Sequence, residues 1–167
     1  MPGNEVISVS NDITVAISRP ENTTAYNAGD VIGIADAGTP ANAGSAIHAF
    51  NGVPAKALIE GVTLRVDLSA VTSGMTSFRL HLYKTSPTAV LDNAAFDLVA
   101  SDRTAYVGYI DIPTPTDLGA TLFAQVDQVN KRVSAPGGVL YGVLQTVGAF
   151  TPTSSEDYAL TIRVVEA

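Results

Sequence analysis

The sequence predicts an all-β protein, an antiparallel sandwich or barrel of about eight to ten strands. Apolar and polar residues alternate in several short segments, which is the period of a half-buried strand. Turn-forming residues separate these segments, and no long segment shows the apolar period of a helix. A length of 167 residues favours one domain over 1–167, with a short N-terminal arm at 1–5.

The clearest alternation lies between Ala57 and Tyr83. The polar segment 69–76 divides it into two strands and suits a loop that reverses the chain, so we expect the two strands to pair as a hairpin. Other strands must then cover their shared apolar face, because an isolated hairpin is marginal in water. The apolar positions are Leu58, Val62, Leu64, Val66 and Leu68 in the first strand and Phe78, Leu80 and Leu82 in the second.

The remaining strands follow from the same period. The segments with strand character are 5–18, as one strand or two, then 31–34, 46–50, 104–112, 122–126, 139–144 and 158–165. Segments 35–44 and 114–119, rich in Gly, Ala, Pro, Asn or Thr, are predicted as a loop and an extended connector. At most one short helix is expected near 92–99, capped by Asp92 with Phe96 and Val99 pointing inward.

The strand at 104–112 is apolar on both faces. Tyr106 and Ile110 share one parity, while Val107 and Tyr109 share the other. We therefore expect the sandwich interior on one side of this strand and a further element or subunit on the other.

Composition excludes several classes of function. The net charge is −7 and the Lys and Arg residues are scattered, so no basic patch for nucleic acid is indicated. There is no cysteine for disulfides or thiol chemistry. No leader-like N-terminus and no apolar run of about 20 residues is seen, which favours synthesis in the cytoplasm and no membrane partner. Charged residues are only 15% of the chain, which suggests that part of the surface is covered by association.

Residue types give no support for an enzyme, a cofactor or a metal site. His48 and His81 lie on different predicted strands without acids at ligand spacing, and we expect both to face solvent. Asp92, Asp97 and Asp102 recur every five residues, which does not match a calcium loop. There is no nucleophile-elbow motif, and no tryptophan provides a platform for sugars. A binding or structural role remains.

Five short segments along the chain together carry a resemblance to a known family. They are residues 28–33, a strand ending at 64–68, residues 79–82, residues 92–96 and residues 106–110. This order resembles small β-rich virion proteins of tailed bacteriophages, which are encoded beside the major capsid protein. The resemblance spans roughly residues 28 to 166, and Asp92-Asn93-Ala94-Ala95-Phe96 is its most distinctive part.

The resemblance implies a capsid decoration, or cement, protein: a jelly-roll-like unit, often trimeric, on the outer capsid surface, bound to the major capsid protein and made in the host cytoplasm. Contacts are expected in the arm, in the loops 35–44 and 114–119, and at tyrosines whose hydroxyls lie at an edge or interface. The candidate contact residues are Pro2, Gly3, Asn4, Glu5, Thr39, Pro40, Tyr106, Tyr109, Thr114 and Pro115. The alternative is a tail or head-fibre module that binds a host receptor or glycan.

Overall fold

The computed structural model describes residues 9–167, and these form two antiparallel sheets, which confirms the predicted all-β class. The arm at 1–5 and the start of the strand predicted from residue 5 lie outside the described residues. The strands are β1 (Asn11–Ser18), β2 (Val31–Ile32), β3 (His48–Asn51), β4 (Lys56–Val66), β5 (Phe78–Tyr83), β6 (Tyr106–Ile112), β7 (Thr116–Asp117), β8 (Leu122–Val126), β9 (Lys131–Ser134), β10 (Val139–Thr146) and β11 (Asp157–Glu166).

The strand order is that of a jelly roll. The first sheet runs β1-β11-β4-β8-β7, with β9 also on β4, and the second runs β2-β10-β5-β6, with β3 also on β10. Counting β2 and β3 as one interrupted strand and β8 and β9 as another, and leaving the two-residue β7 aside, eight strands remain. The first pairs with the last, the second with the seventh, the third with the sixth and the fourth with the fifth. This nested pairing is the double Greek key of jelly rolls.

The prediction that β4 and β5 pair as a hairpin is wrong. β4 lies in the first sheet between β11 and β8, whereas β5 lies in the second sheet between β10 and β6. The connection at 67–77 therefore crosses from one sheet to the other. Alternation along a strand reports which face is buried and does not identify the neighbouring strand.

Bulges change which residues of β4 and β6 face the core. Opposite Arg163 and Val164 the register of β4 shifts, so that Ile59 is fully buried and Leu58 only partly. The prediction that Leu58 shares the core face with Val62 is therefore wrong, because one extra residue reverses the alternation. A similar shift in β6 falls at Val107, beside Gly108 with its φ of 110°.

Two apolar clusters organise the interior. The larger lies between the sheets, and the smaller lies on the outer face of the second sheet, where Val31, Tyr83 and Val143 pack against Val90 and Phe96. The excursion at 84–105 thus covers the outer side of β5 and β10. The prediction that a further element covers the strand at 104–112 is met only in part: Tyr106 packs against this outer cluster, whereas Tyr109 of the same strand is 48% exposed.

Within that excursion, residues 92–99 form no helix. The one helical element among the described residues is a 3-10 turn at Ala100–Asp102. Asp92 caps nothing, because its carboxylate is buried and accepts a hydrogen bond from the Gly33 backbone N–H. None of the helices in the described part of the chain is long and apolar enough to cross a membrane.

Candidate protein-contact surface

Three loops leave the sandwich side by side at one end. They span 67–77, 113–121 and 147–156, and the strands they connect are neighbours in both sheets. The Val147 N–H donates to the Ser77 carbonyl at 3.0 Å, which ties two of the loops together. We call this the upper end; Ser18, Val66 and Ile112 finish their strands there.

Each of the three loops displays one apolar side chain to solvent. Val71 is 37% exposed, Leu118 65% and Val147 44%. Leu118 stands at the β7–β8 turn, where its N–H donates to the Thr121 carbonyl. These three residues, which we call the loop-tip surface, place exposed apolar side chains on three neighbouring loops at one end of the sandwich.

Glycine allows two of these loops to pack closely. Gly74 has a φ of 85°, and a Cβ at this position would overlap the Ala149 carbonyl oxygen. A Cβ on Gly148 would meet the Gly74 carbonyl oxygen. Both positions require glycine because the two backbones touch, so the geometry of the loop-tip surface depends on them.

The candidate contact residues in loops share this end but occupy opposite edges. Thr39 and Pro40 are exposed in a turn beside β1, where the Pro40 carbonyl accepts from the Glu21 N–H at 2.8 Å. Thr114 is exposed after β6, whereas Pro115 is buried and presents no side chain to a partner. Pro2, Gly3, Asn4 and Glu5 lie outside the described residues.

The two candidate tyrosines lie elsewhere, on the second sheet. Tyr109 is 48% exposed, and the guanidinium of Arg79 stacks 4.1 Å from its ring centre. Arg79 also forms an ion pair with Asp111, with 2.7 Å between Nε and Oδ1. Tyr106 is half-buried, and its hydroxyl lies 3.0 Å from Nδ1 of His81.

Both histidines are buried, which corrects the expectation that they face solvent. His48 has Nε2 2.9 Å from the Ile32 carbonyl oxygen. His81 stacks on Phe96 with 3.6 Å between ring centres, and its Nε2 lies 2.9 Å from the Gln145 side-chain oxygen. The errors have different sources: His48 shares the buried face of β3 with Phe50, and the polar face of β5, which carries His81, is covered by the excursion at 84–105.

A buried charged network near the upper end was also missed by sequence reasoning. Arg19 is 1% exposed, donates to the Tyr26 hydroxyl through Nε, and lies against Asp92 with 3.8 Å between Nη2 and Oδ2. Tyr26 in turn donates to Asp92 Oδ1 at 2.6 Å. The network ties the segment after β1 to the excursion at 84–105, and no spacing in the sequence signals it.

Burial of the histidines predicts a loss of stability in mild acid. Burial lowers the pKa of both His48 and His81 below the ordinary 6.5. Below that value the unfolded chain binds more protons, so we expect the free energy of unfolding to fall as the pH drops through 6.5 towards the folded-state pKa values. Asp92 has the opposite effect. Burial raises its pKa, so its contribution to the free energy of unfolding falls as the pH rises.

Urea unfolding at about pH 7.5 and about pH 5 measures this dependence. His81→Gln, which does not titrate in this range, should show a smaller difference between the two pH values than the parent chain. An equal difference in the variant would assign the acid sensitivity to other groups.

Among residues 9–167 no three His, Cys, Asp or Glu side chains converge as they would around a metal ion.

No family model matches the sequence, and no curated protein is significantly similar to it.

Three solved structures are weakly similar to this chain. A chain titled as the capsid of Ralstonia phage GP4 has a TM-score of 0.42 and 14% identity, covering 100% of this chain and 89% of that one. The cleaved adhesin domain K3 of Lys-gingipain from Porphyromonas gingivalis has a TM-score of 0.30 and 14% identity, covering 72% and 63%. A chain of heated Israeli acute paralysis virus has a TM-score of 0.29 and 12% identity, covering 96% and 72%. At such scores and identities the likenesses assign neither a family nor an activity to this chain.

Proposed function

We propose that this protein is a structural virion protein that binds the outer surface of an assembled phage capsid and stabilises it. Its partner would be the major capsid protein, and the binding unit a homotrimer. The five segments between residues 28 and 110 support this proposal, because their order along the chain resembles that of phage virion proteins. Jelly rolls occur in viral capsid domains, although the fold alone decides no function.

The loop-tip surface is the observation that carries the proposal. Val71, Leu118 and Val147 are exposed on three adjacent loops at one end of the sandwich. Apolar side chains exposed in this way are covered favourably by a preformed partner, at roughly 25 cal/mol per Å² buried. The exposed Thr39 and Thr114 would widen this contact on either side.

The stabilising mechanism needs no chemistry at the contact. A ligand that binds the assembled shell but not its separated subunits stabilises the shell by mass action. Three linked copies would bind adjacent positions with a high effective concentration, so avidity would exceed the affinity of one copy.

Co-sedimentation with phage heads that lack the protein tests the proposal. We expect saturable binding at a fixed ratio to the capsid protein and heads that resist heat better. Light scattering of the free protein tests the trimer separately. Absence of binding at saturating concentration would overturn the decoration role.

A variant of the loop-tip surface should lose this binding. Val71→Ser, Leu118→Ser and Val147→Ser combined should weaken head binding at least about tenfold, because each removes exposed apolar area from the contact. Val9→Ser is the matched control, since Val9 is 68% exposed and lies next to the start of β1, at the opposite end. If both variants bind heads as the parent does, the contact lies elsewhere.

One observation favours the alternative of a module that binds a host receptor or glycan. The half-exposed ring of Tyr109 lies among charged side chains of Arg79 and Asp111, an aromatic and polar combination that sugars can contact. A glycan array that is positive with the parent chain and negative with Tyr109→Ala would support this role over decoration.

A further inference from the structure

A groove runs along β6, the edge strand of the second sheet. One wall is β6, and the other is the segment 126–134, which includes the last residue of β8 and the whole of β9. Two cavities follow one another in it, of about 450 Å³ beside Tyr106 and Val107 and about 430 Å³ beside Tyr109 to Asp111. The groove therefore extends along nearly the whole of β6.

β6 presents an open edge to this groove. It is the last strand of the second sheet, and within residues 9–167 it pairs only with β5. Backbone N–H and C=O groups on its other side have no strand partner among these residues. Such an edge is a template for an added strand.

Cationic side chains gather around the same groove. Lys56, Lys84 and Arg132 line one cavity and Lys131 lines the other. A Cβ on Gly108 would lie 2.9 Å from Lys131 Nζ, so this ammonium group sits directly over the bulge in β6. The chain has nine Lys and Arg residues and a net charge of −7, so four cations in one groove is a marked local reversal of charge.

Carboxylates within the described residues do not neutralise these cations. The ion pairs among residues 9–167 join Arg19 to Asp92, Arg79 to Asp111 and Arg163 to Asp12, and none includes a cation of the groove. Asp111 also lines the groove but is held by Arg79. Within residues 9–167 the cations of the groove are thus not held by any carboxylate.

We propose that this groove binds an extended acidic segment of a partner polypeptide as an additional strand on β6. The open strand edge would pair with the backbone of the segment, and its carboxylates would lie against Lys84, Lys131 and Arg132. A peptide backbone fits because an edge strand bonds alternating N–H and C=O groups, which nucleic acid does not offer. A second copy pairing through β6 would place the same cations against each other.

This inference goes beyond the proposed function, because it does not require the partner to be a capsid protein. The probe is an acetylated octapeptide that alternates Glu and Thr, titrated into the isotope-labelled full chain and followed by amide NMR. We expect saturable shifts confined to β6, the 126–134 wall and the groove residues Lys56 and Lys84. The matched Lys and Thr octapeptide should produce none.

Charge reversal in the groove provides the second measurement. Lys84→Glu with Arg132→Glu should weaken peptide binding at least tenfold, because it replaces two attractive charges by two repulsive ones. Arg65→Glu combined with Arg103→Glu is the control of equal charge change, since both residues are exposed and neither lines the groove.

Each outcome decides the inference. No shift with the acidic peptide, shifts outside the groove, equal binding by the two charge variants, or stronger binding of a DNA oligonucleotide would overturn it. Head co-sedimentation by the parent chain is scored separately. Head binding without peptide binding rejects the groove alone, and peptide binding without head binding rejects the decoration role alone.

Discussion

Replacement of Asp92 by alanine should lower the free energy of unfolding by about 3–5 kcal/mol. The carboxylate accepts hydrogen bonds from the Tyr26 hydroxyl and the Gly33 N–H and lies beside the buried guanidinium of Arg19. Alanine would leave all three groups without this partner in a site that water does not reach. A buried charge that loses its counter-charge is among the most costly defects in a folded protein.

Two further variants separate the causes. Asp92→Asn keeps an oxygen acceptor but removes the negative charge, so we expect a smaller loss than with alanine. At 3.8 Å the contact to Arg19 Nη2 is longer than a hydrogen bond, and the two short bonds to Asp92 Oδ1 should carry much of the effect. Asp97→Ala is the control, because Asp97 is exposed. Urea unfolding measures all three, and equal losses for Asp92→Ala and Asp97→Ala would contradict the role of the network.

Gly74→Ala should destabilise the protein by about 3 kcal/mol or more. At a φ of 85° any Cβ is strained, and here it would also overlap the Ala149 carbonyl oxygen. That oxygen belongs to the backbone of the neighbouring loop, so relief requires the two loops to move apart. The loop-tip surface would be distorted with them.

Gly52 offers a control for the strain alone. Its φ is 87°, and a Cβ there has no heavy atom within 4 Å. Gly52→Ala should therefore cost only about 1–2 kcal/mol, the ordinary penalty of a left-handed conformation. Thermal unfolding of the two variants compares them directly, and equal shifts would show that the loops yield without cost.

Strand positions were predictable because burial on one face leaves a period in the sequence. The predicted strand 122–126 matches β8, and the paired apolar positions at 78, 80 and 82 match β5. Which strands pair with one another was not predictable from the same pattern. β4 and β5 are consecutive and alternate alike, yet they lie in different sheets.

The candidate site was less accessible to sequence reasoning. Asp92, Asp97 and Asp102 look equivalent in their spacing, but only Asp92 is buried. His81 carries the parity of an exposed residue, and Phe96 of the excursion at 84–105 covers it. Such differences arise from tertiary contacts with residues outside the local segment, and the alternation of apolar and polar residues contains no record of them.

The nested pairing of the jelly roll also constrains how the chain acquires its structure during synthesis. Thr14 and Thr161 are 147 positions apart, yet their hydroxyls lie 2.7 Å from each other across β1 and β11. β11 occupies the place between β1 and β4 and is the last of the described strands to leave the ribosome. Until it emerges, two strands of the first sheet have open edges that can pair with other nascent chains. Folding should accordingly be slow and completed after translation, as expected where non-local pairs dominate.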